Sequence, residues 1–225
     1  IGMATSGLII SMLFGMGPIY GRNLGLNNTE IGYFMTSIMV GTLLLQYPVG
    51  RLSDKFDRRV VILVAASTSA VCISIASFFG ASHFVPLLVF TMIFGGLTFS
   101  LYSLFIAHAN DFLPPSQMVA MSSGLLMVNG AGAVVGSPFA AAIIEILGSR
   151  SFMPAIAIIL MGLSLFILIR MRLRDAVPQE AQGPFVAFPE TLTGVAAGLN
   201  PEAEWTETTE DDAANNPFKD NPYVN

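Results

Sequence analysis

Charge is what this sequence has least of. Only 11% of its 225 residues are Asp, Glu, Lys or Arg, while 53% are hydrophobic; a soluble globular domain carries about 25% charged residues. Water is therefore the wrong solvent for most of the chain. Cysteine is nearly missing as well. Cys72 stands alone inside an apolar run, which leaves no intrachain disulfide and reads as a small buried hydrophobe. With two histidines and this one cysteine, metal catalysis and most nucleophilic schemes have nothing to work with. No glycine loop followed by Lys-Ser/Thr is present to cradle a phosphate. Neither an enzyme nor a cofactor is expected. A nucleic-acid partner would need a basic exposed face, and the one long polar segment of this chain is acidic.

The few charges are unevenly divided. Residues 1–174 carry a net +4 and residues 175–225 a net −9, which together make the formal −5. A basic apolar body followed by an acidic polar tail is the pattern of a membrane protein with a soluble terminus. Two regions are expected: a transmembrane domain at 1–174 and a disordered acidic tail at 175–225, too poor in apolar residues to offset its ordering entropy. The opening Ile1-Gly2-Met3 has neither a basic leader nor a cleavage site. It reads as a cut end rather than a signal peptide.

A helix crossing the hydrocarbon core needs about 20 mostly apolar residues. Six segments qualify, at roughly 3–22, 29–49, 59–79, 84–107, 117–146 and 152–171. Each must be helical, because backbone polar groups in lipid are satisfied only within the segment. Local punctuation agrees. Asn27 with Glu30 three residues later forms a capping-box pattern before the second helix. Pro114-Pro115-Ser116 separates the fourth helix from the fifth, and Gly148-Ser149-Arg150-Ser151 makes a short turn before the sixth.

Lys and Arg in the connections give the orientation. Arg51, Lys55, Arg58 and Arg59 lie between helices two and three, and Arg170, Arg172 and Arg174 lie at the end of helix six. If six helices alternate, these seven share one side and only Arg22 and Arg150 fall on the other. The basic loops and the C-terminus are thus expected in the cytoplasm, in a multi-pass membrane protein.

The most specific stretch is Gly50-Arg51-Leu52-Ser53-Asp54-Lys55-Phe56-Asp57-Arg58-Arg59. Gly50 permits close helix approach. Asp54 is an acid among four cations, placed to pair with Arg or meet a positive helix N-terminus, a contact that small movements break. The stretch resembles the cytoplasmic signature of the major facilitator superfamily, G-x-L-(A/S)-D-(R/K)-x-G-(R/K)-(R/K), matching seven of its eight specified positions. The departure is Asp57 where the family usually has Gly. This puts the family's tight turn in question here, although Asp tolerates left-handed backbone better than most residues. Gln46 through Asp54, Ala107-His108-Ala109-Asn110-Asp111, and Gly124 through Gly130-Ala131-Gly132 to Gly136-Ser137-Pro138 are similar to the C-terminal half of a YcaD-like bacterial branch. The resemblance implies an all-α integral membrane fold, a six-helix bundle forming half of a twelve-helix carrier, with nested inverted three-helix repeats. It also implies that Gly50, Arg51, Asp54, Lys55, Arg58 and Arg59 form a cytoplasmic gating loop, with the partner of Asp54 in the other half.

Polar groups inside spans are costly and therefore informative. Asn129, near the middle of helix five, either faces a cavity or bonds to a neighbouring helix. His108 and Asp111, with Asn110, end helix four and either bond to the following turn or line a gate. Gln46 precedes the signature by one turn. Tyr20, Tyr33 and Tyr102 either line a path or anchor at the interface. Gly132 and Gly136 are spaced for close helix packing, and Pro138 frees a carbonyl that lets helix five bend. No carboxylate sits centrally in a span, so if transport is proton-coupled its titrating acid is expected in the absent half. The expected function is that of the C-terminal half of a secondary transporter moving a small solute by alternating access. Its partners are that solute, membrane lipid and an N-terminal six-helix half. The rival is a six-span sensor or scaffold acting through its acidic tail.

Overall fold

The computed structural model describes residues 1–79, 83–111 and 115–173, leaving aside the side chains of 115–120. Pro114, Arg174 and the acidic segment 175–225 lie outside the described residues. Six helices run in order: α1 Gly2–Asn23, α2 Asn28–Lys55, α3 Arg58–Ala76, α4 Phe84–Asn110, α5 Pro115–Leu147 and α6 Phe152–Leu173. No strand occurs among the described residues. Five of the six are long and apolar enough to cross a membrane. The sixth, α2, is the longest but one, and its Ser, Thr, Gln, Tyr and charged residues dilute its apolar character.

The expected starts hold closely. The Asn27 side chain accepts from the Glu30 N–H at 2.9 Å while Glu30 takes the Asn27 N–H at 2.8 Å, closing the capping box of α2. A short 3-10 turn at Ser149–Ser151 precedes α6. The main departure is at the far end of α2. It continues through Lys55, so Gly50 to Lys55 form its last turns rather than a loop. The connection to α3 is reduced to Phe56 and Asp57.

Two helix pairs dominate the packing. Gly7, Gly132 and Gly136 bring α1 and α5 so close that a methyl added to any of them would strike a backbone carbonyl of the facing helix. Gly41, Gly95 and Gly96 do the same between α2 and α4. Small residues let helix backbones approach in lipid, where dispersion and polar contacts drive association. Exchanging the first three helices for the last three maps one pair onto the other, as inverted repeats require. Hydroxyl groups add to the packing on two sides of α4. Ser37 meets Thr91 at 3.0 Å between α2 and α4, and Thr98 donates to Ser69 at 3.2 Å between α4 and α3. The main apolar core centres on Met12, Phe34, Ala66, Phe94 and Leu160, and a separate small cluster holds Met3, Tyr102 and Ile106.

Candidate functional site

The bend between α2 and α3 is built from two residues with different tasks. Phe56 ends α2 in extended backbone, and Asp57 takes φ −53° and ψ 118° as the N-cap of α3. Its carboxylate accepts from the Arg59 N–H at 2.9 Å, satisfying one of the open donors of the helix start. No left-handed backbone is needed here, so Asp replaces Gly at no conformational cost and contributes a cap that Gly lacks.

Capping places Arg58 first in α3, and the side chain turns inward. It is 2% exposed, an unusual state for a residue that reads as one of four loop cations. One guanidinium nitrogen donates to the Ala107 carbonyl at 2.9 Å and to the Asp111 carboxylate at 2.6 Å. Both acceptors belong to the C-terminal end of α4, where unpaired carbonyls give the helix its partial negative charge. Asp111 is itself buried. The charge of Arg58 is thus offset by an acid, a carbonyl and a helix end, all from α4. Asp54 approaches the same guanidinium from α2 at 3.5 Å, with its side chain 41% exposed. Two acids therefore address one buried cation on unequal terms: Asp111 is short and dry, Asp54 is longer and wet.

The other signature residues surround this pair. Gly50 is buried, and Arg51 and Lys55 lie on the exposed side of α2. Arg51 sits 4.8 Å above the Tyr47 ring, a cation–π contact along one helix face. Arg59 is half-buried, as is His108 one turn before Asp111. Gln46 donates to Ser103 at 3.3 Å, tying α2 to α4 two turns before Asp54.

The remaining sequence candidates do not converge with this cluster. Tyr20 is buried at the opposite end of the bundle, 5.1 Å from the Phe152 ring and 6.4 Å from Phe34. Tyr102 is buried against Met3 and Ile106. Asn129 donates to the Met3 carbonyl at 3.4 Å, a bond between α5 and α1. Gly132 and Gly136 face Ala4 and Leu8 of α1, and α5 stays helical through Pro138. The arrangement that sequence alone does not reveal is Arg58 with Asp111. The available signal is a lone acid at the end of an apolar helix, where only a buried cation makes it affordable.

The comparisons agree with this architecture. The model of the Major Facilitator Superfamily matches residues 1–218. The chain is 30% identical over 175 residues to a protein of Shigella flexneri serotype 5b (strain 8401) named "Uncharacterized MFS-type transporter YcaD", covering 78% of this chain and 43% of that protein. YcaD of Escherichia coli (strain K12 / DH10B) gives the same identity and coverage. The chain therefore spans less than half the length of these relatives. Its apolar helices and these bacterial relatives identify a multi-pass membrane protein. The chain belongs to the major facilitator superfamily.

Proposed function

We propose that this chain is the C-terminal half of a secondary transporter that moves a small solute across a bacterial inner membrane by alternating access. Its counterpart is a second six-helix half. The relatives are more than twice as long as the matched region, which leaves room for one. The solute binds near mid-membrane between the halves, and the halves rock about it. The α2–α3 bend and the end of α6 face the cytoplasm, following their excess of Lys and Arg. Residues 1–174 form the transmembrane unit and residues 175–225 a separate acidic segment.

The observation that carries this reading is the unequal sharing of Arg58. Removing a partner from a buried charge is costly, and Asp111 keeps Arg58 compensated whatever Asp54 does. Asp54 is then an acid that exchanges partners cheaply, as a latch must. In the cytoplasm-closed state it reaches the opposite half, and in the open state it returns to Arg58. The expected result concerns the full-length protein with its native cysteines replaced. Asp54→Asn speeds labelling of an Asn129→Cys probe by a membrane-impermeant maleimide applied from the cytoplasmic side, by several-fold. Equal rates with and without Asp54 would remove the latch.

A further inference from the structure

We infer that α1 and α5 move as one rigid unit within this bundle, swinging about the end that holds Tyr20, Gly25 and Gly148 and opening at the end that holds Met3. The inference concerns this bundle alone and does not depend on the transport reading.

Three observations carry it. The first is how firmly α1 and α5 are joined. Besides the glycine contacts, Ser11 and Ser137 close a ring of hydrogen bonds. The Ser137 N–H donates to the Ser11 hydroxyl at 3.2 Å, the two hydroxyls meet at 2.7 Å, and the Ser137 hydroxyl donates to the Ser11 carbonyl at 2.8 Å. Asn129 adds its bond to the Met3 carbonyl. These bonds hold the two helices in one register, so sliding or separation would break several at once and is disfavoured.

The second is how unevenly the pair is fixed to the rest. α4 packs broadly against α3, but the symmetry-equivalent contact of α1 with α6 is slight. Among its described side chains α5 enters the main core with Ala140, Ile143 and Ile144, all near its last turns, while α1 enters it from Leu8 onward and leaves Met3 outside it. Toward the other end, contact with α4 passes through the Phe14–Phe99 ring pair, 6.1 Å apart, and then through the separate cluster of Met3, Tyr102 and Ile106, joined by Phe105 of α4 and Leu125 of α5. Ser6 lies three residues from Met3 and so shares its face. Its buried hydroxyl has no hydrogen-bond partner among the described residues, so this seam is less well satisfied than the α1–α5 contact.

The third is where the hinges are. Gly25 and Gly148 have φ of +88° and +85°, the only positive values among the described residues. Gly25 joins α1 to α2, and Gly148 joins α5 to the turn before α6. No atom lies within 4 Å of a side chain added at either. Asn23 donates to Ser149 at 2.7 Å beside them, and Tyr20 is held between Phe34 and Phe152. Both connections of the pair at this end are thus open glycine joints beside an aromatic pivot. Bistable packing of rigid elements about such joints is how small contacts become large displacements.

The test uses spin-label pairs in the full-length protein, reconstituted in liposomes with its native cysteines, Cys72 included, replaced. Ile1→Cys with Ile146→Cys spans the unit itself, and 19 residues of helix separate their levels, about 28 Å at 1.5 Å per residue. One narrow distance is expected. Met127→Cys with Lys55→Cys reports the Met3 end, where two distances are expected. Ile146→Cys with Tyr33→Cys reports the pivot end, where one is expected. Met3→Ala loosens the small cluster and raises the longer Met127–Lys55 population about tenfold. A spread in the Ile1–Ile146 distance overturns the rigid unit. A spread at Ile146–Tyr33 overturns the pivot. A single Met127–Lys55 distance in both wild type and Met3→Ala overturns the swing.

Discussion

Arg58 and its two acids set the energetics at the level of single residues. Asp111→Ala removes the buried acid from a guanidinium that is 2% exposed, a loss of about 3–5 kcal/mol. Asp54→Asn removes a partner that is 41% exposed at 3.5 Å, which costs less than about 1 kcal/mol after solvent screening. Thermal unfolding in detergent is expected to show a large fall in Tm for the first change and almost none for the second. Comparable falls would mean that the acids share Arg58 equally. The signature around Asp54 is readable from sequence because its residues are consecutive. The burial of Arg58 is not, because nothing local distinguishes it from Arg59, and its partner is 53 residues away. Asp57 lies between these cases. An acid ahead of Arg-Arg-Val-Val is an N-cap signal, but the family pattern directs attention to the missing glycine instead.

Helices follow the same division. Their number and most of their starts are legible, because twenty-residue apolar runs and capping residues are local features. The end of α2 is not. Arg51, Asp54 and Lys55 lower the apolarity that marks a span, yet the backbone keeps its helix beyond the apolar stretch, since water or lipid headgroups can solvate those side chains. The glycines show the limit most clearly. Gly132 and Gly162 look alike in sequence, yet Gly132 meets the Ala4 carbonyl while Gly162 has no atom within 4 Å of an added side chain. Gly132→Leu is expected to force α1 from α5 and sharply reduce the yield of folded protein. Gly162→Ala is expected to stabilise by about 0.5–1 kcal/mol through the unfolded chain. A folded, unshifted Gly132→Leu protein in size-exclusion and thermal assays would contradict the close contact.

For the whole molecule, the proposed orientation rests on the uneven placement of cations. Positive residues are retained on the cytoplasmic side during insertion, and Lys55 lies with the larger group. In the full-length protein, Arg22→Cys and Arg150→Cys are expected to react with an impermeant maleimide added to intact cells. Lys55→Cys is expected to react only in inverted vesicles. Labelling of Lys55→Cys from outside would invert the proposed orientation. The exposed faces of α2 and α5, with Tyr33, Leu43, Tyr47, Met127 and Val134, have lengths and positions suited to a second bundle as well as to lipid. Sequence alone does not divide those two roles.

The bonds joining α1 to α5 and to the turn that follows it share a number. Asn129 to Met3, Ser137 to Ser11 and Asn23 to Ser149 each join residues 126 apart. A constant offset means that the two helices run parallel and in register, like two rulers laid edge to edge. The pair therefore tolerates no single-residue change of length between its bonds. A residue inserted into α1 between Met3 and Ser11 would rotate everything beyond it by about 100°, breaking the Ser11 and Asn23 bonds while sparing Met3. A matching insertion in α5 between Asn129 and Ser137 would restore the level of the marks but not their facing, since each helix beyond it would have turned by the same angle of about 100°. The span between the Asn129 and Ser137 bonds is thus a length that neither helix can change by a single residue, alone or together.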